Sequence, residues 1–307
     1  MHAPNSNSVQ RQHGFTLIEL IMVIVIMGAI GGMVSVFMKS PIDAYLDSAR
    51  RAALTDVADT VVRRMARDIQ KSLPNSIRPL NSSQCIEFIP TRSGGRYRAA
   101  DADALNFGSA GSTSFNVFGD FTAASTTVPA DQQIKPLDVI VLYNLGIPGL
   151  DAYSGTNIAT VTAVAATPTG TPPETALTVT VPGTVNTTFP FLNTTNRFQI
   201  VPKEENVVAY VCANLGSSGE GSCKNNLCLY RQILPLTTAD PAVSGCPTPS
   251  LVAPNKASIL ASKLGSCNFN YSPDQQHNAL VAMTLQLTDD SGESVNLYHE
   301  VHVSNTP

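Results

Sequence analysis

The feature that most constrains this chain is an unbroken run of nineteen uncharged, mostly apolar residues from Leu20 to Met38. At 1.5 Å per residue it makes about 28 Å of helix, enough to cross the hydrocarbon core of a bilayer. The preceding stretch, MHAPNSNSVQRQHG, is polar with a single Arg, and no small-residue cleavage site closes the run, so a secretory signal peptide fits poorly. The run passes instead into a patterned segment. Ile42, Leu46, Ala49, Ala53, Val57, Val61, Met65, Ile69 and Leu73 recur at steps of three and four, predicting one helix to about Leu73, ended by Pro74 and the turn residues up to Pro79. Charged residues from Asp43 to Lys71 occupy the other face and read as solvated. Pro41 is a candidate kink, and Gly28, Gly31 and Gly32 permit either close helix packing or local extension.

Glu19 stands beside this run, and a carboxylate there is costly in a membrane unless it finds a partner. The junction Gly14-Phe15-Thr16-Leu17-Ile18-Glu19-Leu20 resembles the processing motif shared by type IV pilins and type II secretion pseudopilins. The resemblance implies cleavage by a prepilin peptidase between Gly14 and Phe15, then N-methylation of the new Phe15 amine. It also implies assembly through Glu19. A buried anion and a buried cation each lose their penalty when Glu19 of one subunit meets the Phe15 amine of a neighbour, which sets axial register.

Beyond the helix the pattern turns to strands, expected at 84–92, 137–144, 158–164, 176–181, 197–201, 206–212, 227–234, 279–287 and 293–303. The stretch from about 101 to 195, rich in Ala, Ser, Thr, Gly and Pro, reads as a large β-rich insertion. The expected class is therefore α+β: a long N-terminal helix, transmembrane and then amphipathic, packed on an antiparallel β-rich head. The division is 1–14 leader, 15–38 membrane or filament-core helix, 39–73 amphipathic helix and 74–307 head. SGGRYR at 93–98 reads as a basic turn, with Arg92, Arg96 and Arg98 as ordinary solvated charges or, less simply, an anion site. Asp289, Asp290 and Glu293 sit in the last hairpin turn and would suit Ca²⁺ only if the turn presented their oxygens together. Asn186 and Asn193 begin Asn-Thr-Thr triplets that meet a eukaryotic glycosylation pattern by coincidence.

All six cysteines lie beyond residue 84, five of them between Cys212 and Cys267, which suggests disulfides in an oxidising compartment. Fifteen pairings are possible; the working assignment is Cys212 with Cys267 and a local Cys223–Cys228 loop, leaving Cys85 for Cys246. No Walker loop, GxSxG or HExxH is present, and His299, Glu300 and His302 fall on a strand whose neighbouring residues face opposite ways. No catalytic residue, metal or cofactor is expected. A net charge of −4 with 14% charged residues argues against a nucleic-acid coat.

The passages SGGRYRA, DVIVLYNLGIPGLDAYSG, YVCANL, CNFNY and NLYHEVHVSNTP resemble minor pilins of MSHA (mannose-sensitive haemagglutinin) type pili. Cys223, Cys228 and Cys246 look additional to that pattern. The resemblance implies a subunit of pilus assembly, placed at the tip by its bulky head, with other minor and major pilins, the prepilin peptidase and the inner membrane as partners. The alternatives are an adhesive or DNA- and surface-binding tip subunit, or a minor pseudopilin of type II secretion.

Overall fold

The computed structural model describes residues 14–79, 83–108, 113–147, 150–167, 172–181, 189, 195–236, 245–252, 256–273 and 278–307. Its contacts divide the chain into two compact units, Met1–Ala52 and Ala53–Pro307. One helix, α1 (Leu17–Gln70), contributes to both and runs unbroken through the three glycines and Pro41. In the first unit every described residue is exposed, the apolar run included.

Within the second unit α1 buries Ala58, Val61, Val62, Met65, Ala66 and Ile69, with Leu54 partly covered. The predicted stripe holds only in its last turns, where Val61, Met65 and Ile69 are buried; Ala53 and Val57 are exposed, and Ala58, Val62 and Ala66 join the buried face instead. Repeated steps of four advance 400° on a helix of 3.6 residues per turn, so the predicted stripe drifts about 40° per step, whereas alternating steps of three and one or four hold one face. The helix also ends at Gln70, before Leu73. Its last turn tightens as Lys71 and Ser72 amides donate to the carbonyls three residues back. The backbone then joins the next strand segment, with Leu73 N–H donating to Ile89 O at 2.7 Å and Thr91 N–H to Lys71 O at 2.8 Å.

Among the described residues, the strands beyond the helix form three antiparallel sheets. The first has the order β1 (Arg78–Pro79), β2 (Cys85–Phe88), β9 (Val207–Asn214), β10 (Leu227–Leu234), β11 (Ser258–Ala261). The second has the order β3 (Ser93–Arg96), β8 (Arg197–Val201), β5 (Val139–Val141), β6 (Ile158–Thr167), β7 (Glu174–Thr180), β4 (Ser114–Phe118). The third is a meander of β12 (Leu264–Pro273), β13 (Asn278–Thr288) and β14 (Ser294–Ser304). The apolar positions of β13 alternate, so Ala279, Val281, Met283, Leu285 and Leu287 all enter the cluster that holds the buried face of α1.

The second sheet comes entirely from 93–201, and a bridge between Tyr97 and Val117 joins its two ends, closing it around Phe115, Ile140, Leu177, Phe198 and Ile200. This barrel is inserted between β2 and β9, which are paired neighbours in the first sheet. SGGRYR is therefore no turn. Gly94 and Gly95 sit in β3 because β8 approaches too closely for a side chain: a Cβ at Gly94 would lie 2.9 Å from Phe198 O, and one at Gly95 3.1 Å from the Phe198 ring. The sequence pattern also missed the short strands β4 and β11. Asn186 and Asn193 lie outside the described residues.

Candidate processing and assembly site

Gly14, Phe15 and Thr16 precede the helix in non-helical backbone, and the helix starts at Leu17. Thr16 caps it: its hydroxyl oxygen accepts from Glu19 N–H at 3.3 Å and its carbonyl from Leu20 N–H at 3.2 Å. Thr16-Leu-Ile-Glu19 has the Thr-x-x-Glu pattern of a capping box, a signal legible in the sequence that the motif reading passed over. The cap fixes where the helix begins, and with it the separation of one turn between Phe15 and Glu19.

Among the described residues nothing lies within 4 Å of a Cβ built on Gly14, and Phe15 is 82% exposed, so these residues leave the Gly14–Phe15 bond uncovered. The Glu19 carboxylate lies in the first helical turn, where the helix dipole favours an anion, and makes no ion pair among the described residues. From Leu17 to Met38 the apolar side chains remain exposed, and Gly28, Gly31 and Gly32 likewise have open space where a Cβ would stand. This surface needs lipid or other helices to cover it.

In the second unit the cysteines are joined as Cys85–Cys246, Cys212–Cys267 and Cys223–Cys228. The first ties β2 to the 246 segment, the second joins β9 of the first sheet to β12 of the third, and the last closes the excursion between β9 and β10. The three arginines do not converge. Arg92 pairs with Asp138 and Glu204, Arg98 with Glu174 and Asp101, and Arg96 is exposed on β3. Asp289 accepts from Ser291 and Glu293 backbone amides within its own turn and Asp290 pairs with Lys263, so the turn does not gather its carboxylates. His299 lies on the inner face of β14 and His302 on the outer. Among the described residues no group of three metal-ligating side chains forms.

Two polar networks escaped the sequence reading because their members are far apart in the chain. Asp68, assigned to the solvated helix face, accepts from Tyr210 Oη at 2.6 Å and from Arg231 Nε at 3.1 Å, and Arg231 reaches Glu205 at 2.9 Å. Burial, reinforced by Asp68, pushes the Tyr210 hydroxyl pKa well up. In the other network Arg78 lies 3.5 Å from buried Glu87 and 2.8 Å from Asp151, with its guanidinium 3.4 Å from the Tyr153 ring centre.

Residues 9–35 match the prokaryotic N-terminal methylation motif. No curated protein and no solved structure matches the chain. The motif, with the capped apolar helix and the antiparallel β-rich region behind it, supports a type IV pilin-like or pseudopilin-like protein of the kind that a prepilin peptidase processes. Helix and motif together fit a membrane-anchored pilus subunit, and the motif points to a structural rather than a catalytic role.

Proposed function

We propose that the chain is a minor subunit of an MSHA-type pilus, similar to MshO, cut between Gly14 and Phe15 and assembled with other minor and major pilins. In this reading 1–14 is the leader, 15–38 the membrane and filament-core helix, 39–73 the amphipathic helix and 74–307 a periplasmic head. The observation that carries it is the Gly14–Phe15 bond, uncovered among the described residues, one capped turn from a Glu19 that makes no ion pair among them, at the start of a membrane-length helix. Moving that helix from bilayer to filament exchanges lipid for other helices around the same apolar surface, so transfer costs little once Glu19 is neutralised by a neighbour's amine.

The test is a count of surface pili on cells lacking the chain, with the intact gene restored as control. Near-total loss on deletion, and failure of Glu19→Val to restore it although Gly14–Phe15 is still cut, supports an assembly role. Normal pili with lost surface attachment supports the second reading, a binding subunit at the tip. That reading draws on the inserted barrel, whose strands all come from 93–201. A minor pseudopilin of type II secretion would leave pili intact and reduce secretion.

A further inference from the structure

We propose that the disulfides of the second unit are reached by exchange and not by first oxidation, so that the chain is a client of a thiol–disulfide isomerase, which engages it at Cys246. This goes beyond the pilus reading and does not depend on it. Along the chain Cys85, Cys212, Cys246 and Cys267 alternate between the two long bridges, so Cys85–Cys246 and Cys212–Cys267 cross, with Cys223–Cys228 as a local loop between them. The crossed bridges span 161 and 55 residues. Cys246 and Cys267 stand only about 20 residues apart. With closure falling as the three-halves power of loop length, they meet about four times as readily as Cys212 with Cys267, and about twenty times as readily as Cys85 with Cys246. That first bond takes one member from each native bridge and leaves Cys85 with Cys212.

The strands let this second wrong pair close as well. Cys85 on β2 is the register partner of Val211 on β9, and Cys212 N–H donates to Gln84 O at 2.9 Å, so the two cysteines are one position out of step. In the native register they face opposite sides of the sheet. Cys212 joins Ile86, Phe88, Val208 and Tyr210 in the cluster around the buried face of α1, whereas Cys85 packs with Ala209 and Val211. A slip of one residue makes Cys85 and Cys212 direct cross-strand partners, at a spacing that a disulfide spans. The same slip turns Ile86 and Phe88 away from Val208 and Tyr210, which leaves the core around α1 incomplete. Wrong bridges and wrong register then hold one another in place.

All six cysteines are consumed in this isomer, so it has no thiolate with which to begin exchange, and more oxidant cannot repair it. A thiolate of the isomerase attacks Cys246 in the Cys246–Cys267 bond, forming a mixed disulfide and releasing the Cys267 thiolate. Cys267 attacks Cys212 in the Cys85–Cys212 bond, which makes Cys212–Cys267 and frees the Cys85 thiolate. Cys85 attacks the mixed disulfide at Cys246, making Cys85–Cys246 and returning the isomerase thiolate. Each attack forms one S–S bond and breaks one, so no oxidant or reductant is used up. In the last step the isomerase is attached to a nearly folded chain, which requires a reachable sulfur. Cys246 is partly exposed in a segment outside helix and strand, whereas the other five cysteines are buried.

The experiment dilutes the reduced, denatured full-length chain into detergent, oxidises it with diamide, which leaves no thiol behind, removes the diamide and maps the bridges by mass. The expected majority product carries Cys246–Cys267 with Cys85–Cys212. Adding a reduced thiol–disulfide isomerase should then raise the share of Cys85–Cys246 with Cys212–Cys267 about four-fold or more. Any other majority product from diamide, the native set included, or no gain from the isomerase, overturns the proposal. An isomerase whose resolving cysteine is replaced by Ala retains the mixed disulfide; an adduct at Cys246 is expected, and adducts only at other cysteines overturn the point of entry. Cys85→Ser combined with Cys246→Ser removes the crossing, so Cys212–Cys267 should form with diamide alone, and a continued need for isomerase overturns the role of the crossing. Should that variant misfold, the comparison on the unaltered chain decides. Failure of these tests leaves the pilus reading standing, since the pilus count tests that separately.

Discussion

Arg78 holds three groups at once, Glu87, Asp151 and the Tyr153 ring, and Glu87 is 2% exposed. Arg78→Ala is expected to lose about 3 kcal/mol in urea unfolding of the detergent-solubilised chain, because an anion is left buried without its cation. Arg78→Met with Glu87→Leu should cost less than the single change. Glu174 is bonded by Arg98 and by Asn116 at 2.9 Å, and the Arg98 hydrogen bond, followed by that of Asn116, holds its carboxyl below the usual range. A depressed carboxylate pKa stabilises the fold above the unfolded value near 4.5 and loses that contribution as pH falls through the folded value. Glu174→Gln should therefore lower the melting temperature at pH 7 and flatten its fall in acid, measured by circular dichroism from pH 7 to 2.5. Asp138 runs the other way: burial raises its pKa despite amides from Lys135 and Lys203 and the nearby Arg92. Its contribution is present below the ordinary carboxylate range and lost as pH rises through the folded value.

At the scale of elements, α1 is held in the second unit by a stripe beginning at Leu54, and the sheets by their bridges. Cys212–Cys267 spans 55 residues and Cys223–Cys228 only 5. On chain entropy alone, removing the first pair is expected to cost about 4 kcal/mol and the second about 2 kcal/mol. Paired Cys→Ser variants compared by urea midpoint check the order, and equal losses would mean that the short loop carries native contacts of its own. The strands read from the sequence were those with strong alternation or β-branched runs. Arg197–Val201 and Leu227–Leu234 match their expected bounds, and Ser294–Ser304 comes within a residue. β3 was illegible because its glycines signal a turn in sequence, and only the approach of β8 shows them to be a strand's response to crowding.

At the scale of the whole chain, the barrel of 93–201 interrupts β2 and β9, whose residues Phe88 and Val208 are register partners. Replacing 91–205 by an Asn-Gly turn should let those strands close as a hairpin, with Cys212–Cys267 still formed. The barrel also covers apolar Leu73, Ile89 and Val207, so the excised chain is expected to be several kcal/mol less stable. Disulfide mapping together with limited proteolysis tests this, and loss of the Cys212–Cys267 bridge would show that the barrel is needed for the core. The sequence by itself determined what rests on local order: the membrane-length helix, the Gly14–Phe15 junction with Glu19, the strand-forming runs and the presence of an insertion. Each depends on residues close in the chain, where periodicity and motif spacing act directly. Tertiary structure alone decided that Ala58, Val62 and Ala66 rather than Ala53 and Val57 join the buried helix face, how 93–201 closes, that Asp68 meets Tyr210 and Arg231, and that β14 is, among the described residues, the last strand of its sheet. These depend on contacts between residues distant in sequence, which long-range packing alone selects.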